Sequence, residues 1–121
     1  MAINIVMGVP GATLAEVQAA GRPVVKDIPM AKRHFDLGMA YFRQKQYLQA
    51  IEEFDEAYKL SNRPEILYDI GLCYKKLGRA DAARTYFQRY LKEHPNTKIR
   101  EEVEIDILFV TALLAILGLA D

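Results

Sequence analysis

Few residues in this chain could do chemistry, and their spacing keeps them apart. His34 and His94 fall on segments that read as different helical hairpins. Neither has Cys, Asp or Glu at metal-ligand spacing. His34 reads as a packed residue, and His94 falls in the last turn of a predicted helix, where a cation is favoured. Cys73 sits between Leu72 and Tyr74 on an apolar segment, which predicts a buried, inert thiol. Glu52, Glu53, Asp55 and Glu56 read as a solvated helix face pairing with lysines such as Lys59. The stretch "GVPG" at 8–11 lacks the Lys-Ser/Thr of a phosphate loop. No nucleophile stands beside a base. The expectation is a protein that is not an enzyme and uses no metal or cofactor.

Composition narrows the partners. The 16 Lys and Arg equal the 16 Asp and Glu, so the net charge is zero. A neutral chain gives no reason to expect nucleic acid as a ligand, nor a polybasic membrane anchor. Its 121 residues suggest one domain, and with 51% of them hydrophobic the chain should fold. A single cysteine precludes an internal disulfide and fits a reducing compartment. The apolar opening, "MAINIVMGVPGATLA", has no positive leader before it, so no secretory signal is expected. The expected location is the cytoplasm, with a bacterial envelope as the alternative.

The elements that would position these residues are helical. Residues 1–30 differ from the rest: "INIVM" is β-leaning, and "TLAEVQAAGRP" reads as a short helix with a capping box at Thr13 and Glu16. From there the pattern predicts helices at about 30–43, 47–60, 64–76 and 80–93. Pro29 suits a first helical position, and Pro95 ends the fourth helix. The short connections predict antiparallel hairpins, hence an all-α fold. Residues 98–120 predict a fifth helix, charged at its start and apolar afterwards.

The two hairpins share a period. Gly38 to Gly71, Tyr41 to Tyr74, Ala50 to Ala83 and Phe54 to Phe87 are each 33 residues apart. A fixed period of this length marks stacked helical hairpins. A mid-helix glycine costs about 1 kcal/mol relative to alanine. Its recurrence at one phase implies close helix approach, with Ala50 and Ala83 facing the bare positions and Tyr41, Phe54, Tyr74 and Phe87 filling around them.

The residues Leu37-Gly38-x-x-Tyr41, Ala50-x-x-x-Phe54, Ile70-Gly71-x-x-Tyr74, Ala83-x-x-x-Phe87 and Pro95 resemble two tetratricopeptide (TPR) repeats spanning 31–97. His34 and Leu67 replace the usual leading Trp. The resemblance implies an α-solenoid fragment whose first helices line a concave peptide-binding groove. By phase that groove would carry Lys32, Phe35, Met39, Phe42 and Arg43, then Tyr68, Leu72, Lys75 and Lys76. Apolar in the middle and basic at its edges, it would suit an amphipathic segment with acidic residues. Phe35, Met39 and Leu72 could equally be covered by a terminal segment. Neither first helix carries the Asn of the TPR clamp for a terminal carboxylate, so that ligand is not expected.

Residues 98–121 form the third segment of the chain. Two repeats leave apolar ends bare, and a last helix is the natural cover. The run "ILFV" at 107–110, however, places large side chains on every side. From 107 to 120 the run is about 21 Å long at 1.5 Å per residue, too short to span a bilayer. Ile107, Leu108, Phe109, Leu113, Leu114 and Leu117 are therefore expected to build a homo-oligomer, with a monomeric cap as the alternative and membrane contact a third. The function expected first is a protein-interaction adaptor, and second a self-assembling structural protein.

Overall fold

A computed structural model describes residues 26–118. The strand-like run, the short helix with its capping box, and residues 119–121 lie outside the described residues. Within them are five α-helices: α1 (Ile28–Arg43), α2 (Tyr47–Ser61), α3 (Glu65–Lys76), α4 (Ala80–Glu93) and α5 (Arg100–Ile116). Among the described residues there is no strand. The helices α1 and α2 form one antiparallel hairpin and α3 and α4 a second, with α5 laid against α4.

Local chemistry explains most boundaries. The first helix starts at Ile28, earlier than expected, because Asp27 caps it: its carboxylate accepts from Met30 N at 3.1 Å. Asn62 ends α2 in the left-handed region, at φ 56. The last helix begins at Arg100 instead of 98, because Thr97 Oγ1 accepts from Ile99 N at 3.3 Å and holds the chain in a turn. Within the hairpins the two turns are copies of each other. Lys45 takes φ 63 and Gly78, one period later, φ 77. The next amide in each turn, Gln46 and Arg79, donates to Tyr41 O and Tyr74 O, both at 2.9 Å.

The two mid-helix glycines meet an aromatic ring. A Cβ built on Gly38 would lie 2.6 Å from the ring of Phe54, and one on Gly71 would lie 2.6 Å from the ring of Phe87. Both rings are fully buried. Ala50 and Ala83 are also fully buried, one turn away on the same helices. The bare position thus receives the phenylalanine of the facing helix, whereas the sequence placed the alanine opposite it. A second aromatic pair repeats with the period: Phe35–Phe54 at 5.6 Å and 45°, Tyr68–Phe87 at 5.4 Å and 43°.

Two core clusters follow. One gathers Ala50, Phe54, Ala57, Ile66, Ile70 and Cys73, and so joins the first hairpin to α3. The other gathers Leu67, Ala83, Phe87 and Tyr90 with Val103, Val110 and Leu114 of α5. Tyr58 ties the hairpins at the back: its hydroxyl donates to Glu93 Oε1 at 2.7 Å, and Arg89 stands 5.0 Å from its ring centroid.

This arrangement makes the effect of alanine depend on position. Replacing an ordinary helical glycine with alanine should stabilise by about 1 kcal/mol. Here Gly38→Ala and Gly71→Ala should each destabilise, by roughly 1–3 kcal/mol for an overpacked core. Lys45→Gly should stabilise, by about 1 kcal/mol, by relieving a left-handed non-glycine residue. Urea denaturation of the three variants measures all of this.

Candidate functional site

The central residues of the predicted groove lie in seams between successive first helices. Phe35, Met39 and Phe42 of α1 are half-buried and pack on the cluster that holds Ile66, Ile70 and Cys73 of α3. Tyr68 and Leu72 of α3 are half-buried in the same way, on the cluster that holds Val103, Val110 and Leu114 of α5. The last helix therefore stands to α3 as α3 stands to α1. The covering of Leu72 comes from α5, and that of Phe35 and Met39 from α2 and α3.

A polar lock fixes the second seam. Asp106 of α5 accepts from the Tyr68 hydroxyl at 2.9 Å and from Lys75 Nζ at 2.7 Å. The Lys75 ammonium also lies 4.9 Å from the centroid of the Phe109 ring. Burial, then the bond to Asp106, raises the Tyr68 hydroxyl above its ordinary pKa. Lys32, Arg43 and Lys76 remain exposed, and Lys32 Nζ bonds Asp36 Oδ2 at 2.7 Å. Of the expected basic rim, Lys75 is thus held within the fold.

Among the described residues, a cavity of about 350 Å³ opens between the first turns of α1 and α3. Ile28, Ala31, Phe35 and Ile66 form its apolar wall. Lys32, Asp36, Arg63, Glu65 and Asp69 supply its charges, and Ser61 closes one side. Ser61 is buried and satisfied: its hydroxyl donates to Ala57 O at 2.7 Å and accepts from Arg63 N at 3.3 Å. Lys32 is paired with Asp36, and Arg63 Nε lies 3.9 Å from Glu65 Oε1. Asp69 has no hydrogen bond or ion pair among the described residues. Burial, and then the neighbouring charge of Glu65, push its carboxyl up to about 6.

Other expected residues settle as follows. Cys73 is fully buried, and burial followed by the charge of Asp69 pushes its thiol up to about 12, so it is unreactive. His34 is half-buried and not simply packed: its Nδ1 lies 2.7 Å from Glu53 Oε1 across the first hairpin. His94 caps α4, edge-on to Tyr90 at 5.8 Å. On α5, Leu114 is buried, and Ile107 and Leu113 half-buried, against the chain's own core. Leu108, Phe109 and Leu117, with Ile105 and Ile116, are exposed. Among the described residues no helix is long and apolar enough to cross a membrane.

Sequence reasoning missed Asp69 and Asp106. Each is a lone acid within an apolar helical stretch, "LYDIGLC" and "IDILFV", which is the signal that could have found them.

Paired helices repeated at a fixed period, with a glycine filled by a phenylalanine in each, define a helical-hairpin repeat module. The tetratricopeptide repeat family model matches residues 35–97, just over half of the chain, and the chain belongs to that family. A comparison with curated proteins gave no match.

Asp69 carries a stability signature. Its carboxyl has an ordinary value of 3.8 and is raised in the fold, so between pH 4 and 6 the folded state holds a proton that the unfolded chain has released. Its contribution is therefore most favourable below pH 4 and is lost as pH rises through about 6. Asp69→Asn should raise stability at pH 7.5, on the order of 2 kcal/mol. The gain should fall to a few tenths of a kcal/mol, roughly, near pH 4 and vanish below about pH 3. Thermal unfolding of both proteins across this range is the check.

Proposed function

We propose that this TPR module is an adaptor that binds a segment of another protein on its first-helix face, at the cavity between α1 and α3. The family is a scaffold for protein–protein contact, which supports the general class. The observation that carries the specific reading is the cavity itself. It is concave, mostly apolar, edged by charge and lined by Lys32 and Phe35 of the expected groove. Tyr68 and Leu72 of α3 are covered by α5, so among the described residues the first repeat offers the open half. A photoreactive residue placed at position 32 should cross-link a partner in cells, and one at the exposed Gln88 of α4 should not. Filling the cavity with Ala31→Leu should remove the adduct. Equal adducts from both positions, or an adduct indifferent to Ala31→Leu, would contradict the reading.

A second reading, self-association through α5, has its own support. Ile105, Leu108, Phe109 and Ile116 leave that helix apolar on its outer side. A cap with nothing beyond it would be polar there. Light scattering should then show a dimer for the full chain and a monomer for the double variant Leu108→Glu, Ile116→Glu. A monomer at every concentration of the unaltered chain ends this reading.

A further inference from the structure

We propose that the cavity between α1 and α3 receives a basic side chain, a lysine or arginine of the partner segment, with Asp69 as its counter-charge. The inference rests on the reading of this face as the partner site and specifies the chemistry of the residue that enters it. It reverses the expectation of an acidic ligand, which came from counting lysines by helical phase.

The charges around the cavity do not balance. Asp36, Glu65 and Asp69 face two cations, Lys32 and Arg63. Lys32 is held at 2.7 Å by Asp36 at the exposed edge, and Arg63 is turned toward Glu65. From α1 the charged groups near Asp69 are therefore Lys32 and Asp36, and from the α2–α3 connection Arg63. On its own helix they are Glu65 one turn before it and the neutral thiol of Cys73 one turn after. Among the described residues one carboxylate, the most enclosed, is left without a partner.

The rest of the cavity suits the stem of such a residue. Ile28, Ala31, Phe35 and Ile66 offer apolar surface to a chain of methylenes, and Asp69 stands where the charged head would stop. An ammonium or guanidinium there would relieve both influences that disfavour the ionised carboxylate: burial without a hydrogen bond, and the repulsion of Glu65. A neutral apolar side chain would leave both in place, and an acidic one would add to the second.

The test uses n-butylammonium, the side chain of lysine, as a probe, with n-butanol and butyrate as its neutral and anionic counterparts. Amide shifts of the full chain are followed by NMR at pH 7.5. Butylammonium should move amides within 28–36 and 61–69 and bind more tightly than either counterpart. Asp69→Asn, a nearly isosteric change, should weaken it about tenfold, the size of a lost charge-assisted bond. Asp36→Asn, at the exposed edge, should change it far less. Binding should also weaken at pH 5, where Asp69 is mostly protonated. Equal binding of butanol, or an unchanged affinity in Asp69→Asn, overturns the proposal. The cross-link from position 32 separates the two levels. An adduct that survives Asp69→Asn with undiminished yield keeps the recognition face and removes the basic subsite. No adduct in the unaltered chain removes the face itself.

Discussion

A phenylalanine ring occupying the side-chain space of a glycine is the contact on which this structure depends. It occurs twice, at Gly38 with Phe54 and at Gly71 with Phe87, and in both a Cβ added to the glycine would lie 2.6 Å from the ring. Each instance sets how close the two helices of a hairpin come. That spacing fixes where the first helices lie, and so decides which of their residues form seams and which form surface. A methyl group at either glycine would have to push a fully buried ring, and a close-packed interior has no room to take it.

The last helix continues the same logic without the same sequence. It has no glycine and no period, yet it docks as a further first helix would, with Val103, Val110 and Leu114 inward. The lock of Asp106 with Tyr68 and Lys75 fixes its place. A half-buried ion pair of this kind owes little to net Coulomb energy, because desolvation opposes it. Its two bonds to α3 are made by one residue of a helix that carries apolar side chains on several sides.

The fold was legible because repetition makes pattern visible. A spacing of 33 residues shared by four residue pairs predicted the hairpins, and the four helices lie within two residues of where the spacing put them. What fills each glycine was not legible. Ala50 and Phe54 lie one turn apart on the same helix, and phase alone did not tell which of them meets Gly38. The groove was legible only as a helix face. Whether Tyr68 and Leu72 are surface or seam depends on α5, which lacks the repeat signature. The isolation of Asp69 depends on what α1 and the α2–α3 connection set across from it, and no single stretch of sequence contains that relation.

The proposed function rests on unequal halves. One period supplies two similar first helices, but the second is partly closed by the chain's own last helix while the first keeps its cavity. The account stands on the glycine–ring contact, and NMR can observe it directly. Strong nuclear Overhauser effects should link the α-protons of Gly38 to the ring protons of Phe54, and those of Gly71 to Phe87, while Gly78 shows none to any ring. Glycine α-protons at 38 and 71 without effects to either ring would contradict the hairpin geometry and everything built on it.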